Sequence, residues 1–420
     1  MIETRFKKTE IGEIPEDWEI DIVEDLFKFY VNNTFSRDML NKNGNIYNIH
    51  YGDILVKFGS ILDVEKDYLP AIDKHILYSP KSYICNGDVV IADTAEDEMV
   101  GKACEVQNVG DRKIVAGLHT MWLHPKDDLF SPGFLGYFIN SKIYHNQLLP
   151  LIQGIKVSSV SKTALKETCV LRPNKNEQQR IATALSDIDA LLSTLNKKIA
   201  KKKLIKQGAM QQLLTGKMRL AGFTEPWVEK KLGEIGSFIG GGTPNTKIEE
   251  YWNGTIPWIS SSDISNGDIR NINITRYITE EAIKVSATNK CPIGSILLIT
   301  RVGIGKLAVA DQMICTSQDF TNICIGTDYN SIFIALLLSR LMMAKRDEGQ
   351  GSTIKGITTE EIKSMIILLP LSIAEQTAIA TILSDMDKEI EQLEAKRAKY
   401  EQVKQGMMQQ LLTGKIRLID

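Results

Sequence analysis

The sequence predicts an α+β fold: two pseudo-two-fold-related α+β units joined by two long helices that form an antiparallel coiled coil. Three observations predict it. A helical segment occurs twice at a fixed offset, both copies carry apolar heptad spacing, and a loop-rich stretch of short apolar runs precedes each copy. The 420 residues allow two or three domains at roughly 100 to 200 residues each. A hydrophobic share of 43% with 24% charged residues excludes a disordered chain. Fifty basic against 52 acidic residues give no global pull toward nucleic acid or membrane, although a basic patch on one face is compatible with that balance.

The order predicted is a first unit over residues 1–175, a central helix over 176–216, a second unit over 217–371, and a distal helix with a C-terminal segment over 372–420. Residues 177–189, from Glu177-Gln178 to Ile188-Asp189, return as residues 375–387, from Glu375-Gln376 to Met386-Asp387. The offset is 198, and residues 206–220 return as 404–418 at the same offset with two differences. An unbroken register over such a length points to a mechanical constraint, which a surface loop would not need. Ile181, Leu185, Ile188, Leu192, Leu195 and Ile199 step by four and three, and Ile379, Leu383, Met386, Ile390 and Leu393 repeat the pattern. This is a heptad seam for helix pairing. It turns polar at Lys202 and Lys206 in one copy and at Arg397, Tyr400 and Lys404 in the other. Asn176 and Ser372 are the expected N-caps, and Gly216 and Gly414 the expected left-handed ends. A duplicated helix paired with its copy is most simply related by a two-fold axis, and such pairing is antiparallel. Because Arg417-Leu418 repeats the exit from the first helix, the C-terminal segment should lie beside the start of the first unit.

The two units share anchors. Trp18 answers Trp227, Gly87-Asp88-Val89-Val90 answers Gly294-Ser295-Ile296-Leu297, and Gly101-Lys102 answers Gly305-Lys306. Short β-rich runs at 295–300 and 365–369 lie between Gly, Pro and Asn punctuation. Between the anchors the units differ, so one scaffold carries two surfaces. Apolar stretches around 332–344 and 365–374 fall short of the roughly 20 residues of a bilayer span. The N-terminus carries no secretion pattern, and six scattered cysteines without a CxxC pair argue against a zinc knuckle or a disulfide framework. The expectation is a cytoplasmic protein with reduced thiols.

No catalytic motif emerges. GxxxxGK[ST], GxSxG and HExxH are missing, as are the Asn-Pro-Pro-Tyr and Asp-Pro-Pro-Tyr of amino-methyltransferases. His119 and His124 read as structural rather than as a metal pair. Gly240-Gly241-Gly242-Thr243-Pro244 reads as a tight loop whose glycines would also let main-chain amides approach a phosphate.

The Glu-Gln-Gln-Arg-Ile-Ala start at 177–182, the Gln-Leu-Leu-Thr-Gly-Lys-x-Arg-Leu end at 212–220 and their recurrence resemble the specificity subunit of type I restriction-modification enzymes. Gly241-Gly242-Thr243-Pro244, Trp252, Ile256-Pro257-Trp258-Ile259 and Asp263-Ile264 resemble the start of target-recognition domains in that family, while Asp93-Thr94-Ala95-Glu96-Asp97-Glu98 makes the first unit more acidic there. The resemblance implies a non-catalytic reader of double-stranded DNA with two target-recognition domains, one for each half of a bipartite site. It implies paired helices that set the gap and dock two methyltransferase subunits, with restriction subunits joining the full complex and no membrane involved. No cofactor or metal is expected on this chain; S-adenosylmethionine, ATP and Mg²⁺ belong to the partners. Lys and Arg would neutralise phosphates and loop side chains would read base edges. The candidates are Lys57, Lys156 and Ser158 in the first unit, and Thr243, Ser261, Arg301, Ser352 and Lys355 in the second. Each competes with the reading of a solvated surface residue. Lys201, Lys202 and Lys203 on the outer helix face read as partner-binding or as solvated. The rival functions are a coiled-coil scaffold that binds only proteins, a single-chain methyltransferase or nuclease, and the specificity subunit of a modification-only system.

Overall fold

The computed structural model describes residues 4–154, 156–348 and 356–419, with side chains throughout these except at 343–348. Ser352 and Lys355 lie outside the described residues. The chain forms two compact units, Met1–Lys197 with Ala395–Asp420, and Lys198–Glu394. Each unit therefore takes part of both long helices, whereas the division by sequence set the helices apart as segments of their own.

Both units are built on one plan. In the first, an antiparallel sheet runs in the order Phe27–Tyr30, Thr120–Pro125, Val89–Ala92 and Ala103–Gln107, with Ile61–Asp63 added in parallel at the edge. In the second the order is Gly236–Gly240, Phe320–Ile325, Ile296–Ile299 and Leu307–Val309. The central strands Val89–Ala92 and Ile296–Ile299 are buried along their whole length, which is why they read as continuous apolar runs instead of alternating ones. A second sheet in each unit contains a parallel pairing, Ile46–Ile49 with Lys113–Ala116 and Ile256–Ile259 with Ile314–Thr316.

The long helices span Lys175–Leu213 and Ile373–Leu411, 39 residues each. Ser372 caps the second, its hydroxyl accepting from the Glu375 amide at 3.4 Å. The first is capped not by Asn176 but by Asn174, whose side chain accepts from the Glu177 amide at 3.0 Å. Asn174 is the residue that the 198-residue offset places opposite Ser372. Both helices end as expected. Gly216 and Gly414 have φ of 67° and 68°, a left-handed conformation that favours glycine, and the amides of Met218 and Ile416 close the ends on the carbonyls of Gln212 and Gln410 at 3.1 Å.

Within each unit the two helices run antiparallel, and polar pairs show the register. In the first unit Lys404 meets Asp189 at 2.6 Å and Arg397 meets Asn196 at 3.4 Å, so partner numbers fall as helix numbers rise. In the second, Lys206 pairs with Asp387, the mates of Lys404 and Asp189 at the 198 offset. Lys202, where the seam turns polar, pairs with Glu389, and Lys203, exposed as a solvated face requires, pairs with Glu394, both on the second helix at 2.7 Å. The seam's ends enter the globular cores. Ile181 and Leu185 pack with Trp18, Phe134, Leu411 and Leu412, whereas Ile379 and Leu383 pack with Leu213, Leu214 and Phe333. Ile188, Leu195, Ile199 and Ile390 are buried, and Leu192, Met386 and Leu393 are half-buried. A 39-residue helix is therefore held by its partner and by a globular core together.

The C-terminal segment packs against the start of the first unit. Arg417 makes a two-pronged contact with Glu177 at 2.7 and 2.9 Å and another with Asp17 at 2.9 and 2.6 Å. Trp18 donates its indole N–H to the same Glu177 at 3.0 Å. The second unit repeats the motif with Arg219 on Glu375 at 2.7 and 2.9 Å and Trp227 at 3.3 Å.

Candidate nucleic-acid interface

The carboxyl ends of a parallel strand pair open toward one side, and loops leaving those ends are the natural place to gather side chains for a ligand. In both units these loops are tied by the same main-chain bonds. The Gly117 amide donates to Ile49 O and the Ser317 amide to Ile259 O, both at 2.9 Å. Next, Asp93 N bonds His119 O at 3.1 Å, as Thr300 N bonds Asp319 O at 2.8 Å. A third segment joins through Val160 N to Asp93 O at 2.9 Å and Ile357 N to Thr300 O at 2.8 Å. The same junction of segments thus presents different side chains in the two units.

In the first unit Ser158 lies in the short strand Ser158–Ser159, paired with Thr94–Ala95, and Lys156 is exposed just before it. The helix Tyr51–Val56 leaves the Ile46–Ile49 strand, and its Tyr51 ring stands 5.4 Å from the His119 ring. His119 Nδ1 in turn lies 3.4 Å from the Thr94 hydroxyl, which links this helix to the strand beside Ser158. Lys57, at the far end of the helix, reaches back to the fully buried Asp53 at 2.7 Å. Arg37 holds both oxygens of that carboxylate at 2.6 Å, and both cations remain about half exposed. Burial of His50, and then the nearby Arg37 cation, lower its imidazole pKa from the usual value. His124 is a structural histidine, as expected: it bonds the buried Asp88 at 2.6 Å, and Trp122 donates to the other oxygen at 2.6 Å.

In the second unit Gly240, Gly241, Arg301, Gln318 and Thr358 border a cleft of about 660 Å³. Thr243 does not itself border the cleft but donates its hydroxyl to Gln318, which lines it together with Arg301. Ser261 is not among the residues bordering it; it opens the 3₁₀ turn Ser261–Asp263 that follows the Ile256–Ile259 strand. The glycine run is a tight loop, as expected, and most of it is closed by its own chain. A Cβ on Gly241 would come within 2.0 Å of Ser317 O and one on Gly242 within 2.3 Å of the Ala287 carbonyl carbon, while Gly240 faces open space. Gly242→Ala should therefore destabilise the second unit by about 1–3 kcal/mol, seen as a lower thermal midpoint, and an unchanged midpoint would show that the loop can move aside. The motif residues pack on one another here. Trp258 donates to Gly242 O at 2.9 Å, Trp252 stands edge-on to Trp258 at 5.0 Å, and the Arg276 guanidinium lies 4.7 Å from the Trp258 ring centre. Arg37, Tyr51, Arg276 and Gln318 escaped the sequence reading, since each acquires its place from partners distant in the chain.

The family model described as the type I restriction modification DNA specificity domain matches residues 15–206 and again residues 224–403. The chain belongs to this family. It is a specificity subunit with two DNA-recognition domains, a non-catalytic chain within restriction-modification systems. Over 437 residues it is 27% identical to a Methanocaldococcus jannaschii protein provisionally named type I restriction enzyme MjaX specificity subunit, covering 99% of this chain and 97% of that one. It is 30% identical over 245 residues to the EcoR124I/EcoR124II specificity subunit of Escherichia coli, covering 55% and 57% of the two chains. The fold is like that of the type I restriction-modification S subunit from M. genitalium, with a TM-score of 0.58 at 15% identity over 94% of this chain and 96% of that one. Among the described residues no helix is long and apolar enough to cross a membrane, and no group of three or more His, Cys, Asp and Glu is gathered as a metal site would need.

Proposed function

We propose that this specificity subunit reads a bipartite, asymmetric site in double-stranded DNA, one half-site for each recognition domain, and that the long helices set the gap between the halves. The observation that carries the reading is one junction of loops built twice, with His119 and Thr94 around it in the first unit and Arg301, Gln318 and Thr243 in the second. Equivalent scaffolds with unlike side chains suit two unlike sequences. Lys57, Lys156 and Ser158 act in one reader, and Thr243, Ser261, Arg301, Ser352 and Lys355 in the other. The helices dock two methyltransferase subunits that use S-adenosylmethionine, and restriction subunits using ATP and Mg²⁺ complete the assembly. The chain itself works in the cytoplasm without a cofactor.

Methylation mapping of a genome, with this chain present or deleted beside its methyltransferase subunit, tests the proposal. The expected result is a motif of two defined blocks separated by a constant unread gap, lost on deletion. A scaffold that binds only proteins would leave no such motif dependent on the chain.

A further inference from the structure

A further correspondence between the units concerns the turns that leave the parallel strands. Aligned through the bonds of Gly117 to Ile49 and Ser317 to Ile259, His50 stands where Ser260 stands, Tyr51 where Ser261 stands, and Asp53 where Asp263 stands. Both aspartates are buried, Asp53 fully and Asp263 to 8% exposure. Both grip an arginine. Asp53 takes the two-pronged contact of Arg37 at 2.6 Å, and Asp263 takes Arg276, which also donates to the Ser260 hydroxyl at 2.7 Å. The arginines come from different places: Arg37 precedes its aspartate in the chain, and Arg276 follows it on the strand Arg276–Ile278. Descent from one ancestral unit would have kept the arginine in one place. A clamp rebuilt from the other side implies that the turn has to be held in both units.

Each turn is also fixed by its own cap. The Gly52 amide donates to His50 Nδ1 at 3.1 Å, while Ser260 and Asp263 form a reciprocal capping box. The residues so held, Tyr51 in one unit and Ser261 with exposed Ser262 in the other, stand at the carboxyl ends of the parallel strands, each with a partly exposed arginine nearby, Arg37 at 48% and Arg276 at 38%. Reading a base edge requires a donor or acceptor held within a few tenths of an ångström, which a free loop cannot supply.

We infer that Arg37–Asp53 and Arg276–Asp263 are the positioning clamps of two DNA-reading turns, and that Tyr51 and Ser261 are specificity-determining residues, one for each half-site. The inference rests on the bipartite reading proposed above and goes beyond it by assigning a turn to each half.

The test uses the full chain assembled with its methyltransferase subunits, on duplexes in which either half-site is varied base by base. Arg276→Ala and Asp263→Asn should lower discrimination within one half-site about tenfold or more and leave the other half-site as in the wild type. Arg37→Ala and Asp53→Asn should do the same to the opposite half. Ser261→Ala and Tyr51→Phe lie outside the clamps, and the phenyl ring keeps the packing of Tyr51 against the core and the His119 ring, so they should change base preference in the same respective halves with an unchanged thermal midpoint, even where a clamp variant folds poorly. Equal loss at both half-sites, or a lowered midpoint with discrimination intact in all six variants, would overturn the clamps as positioning devices. A wild-type assembly with no bipartite preference would instead overturn the reading on which they rest.

Discussion

Arg417→Ala should lower the stability of the first unit by about 3–5 kcal/mol. Glu177 is fully buried, and the Arg417 side chain that neutralises it is only 8% exposed. Removing the guanidinium leaves an ionised carboxylate in the core with the Trp18 indole as its remaining neutral donor. The same substitution frees Asp17, whose carboxyl is held below the usual aspartate range chiefly by its hydrogen bond to Arg417. A depressed carboxyl pKa contributes stability that is present above the unfolded aspartate pKa and lost as pH falls through the folded value. The variant should therefore also lose part of the wild type's fall in stability on the acid side of that range. Arg219→Ala, the mate at the 198-residue offset, should cost less, because its side chain is 26% exposed and water can partly replace it beside Glu375. Thermal or urea unfolding of the two variants over a pH series measures all three effects. An Arg417→Ala protein within half a kcal/mol of the wild type would mean that Glu177 is taken up neutral or re-solvated.

The duplicated helices were legible because helix physics is local. Heptad spacing, the terminal glycines and a fixed offset all sit within a few turns of chain, and the offset even held the answer to the misplaced first cap, since Asn174 lies opposite Ser372. The partners of Lys202 and Lys203, Glu389 and Glu394, were not legible because they depend on which antiparallel register the helices take. The recognition units were legible only in outline. Their buried strands gave apolar runs, but the interface is assembled by bonds such as Asp93 to His119 and Thr243 to Gln318, which join segments far apart in sequence. The two clamps defeat sequence comparison of the units altogether, as their arginines sit on opposite sides of the matching aspartates.

Inserting one heptad into both long helices should lengthen the unread gap by about three base pairs. Each insertion adds about 10.5 Å of helix, and the axial step of duplex DNA is about 3.4 Å. The insertion points follow from the pairing. Placed after Lys197 in the first helix and after Ala395 in the second, the new heptads fall between the links of the first unit, Lys404–Asp189 and Arg397–Asn196, and those of the second, Lys202–Glu389, Lys203–Glu394 and Lys206–Asp387. Every such link then keeps its own partner, and seven residues return the seam to the same face. Three base pairs also turn the second half-site by about 100° around the duplex at roughly 10.5 base pairs per turn, so affinity should fall even where the longer gap is selected. A four-residue insertion at the same points adds about 6 Å, a stutter that the pair takes up by local unwinding, and it should lengthen the gap by one to two base pairs at about 3.4 Å each. Methylation mapping with the two variants separates a ruler from a passive tether: a tether would give the original gap, or a mixture of gaps, with either insertion.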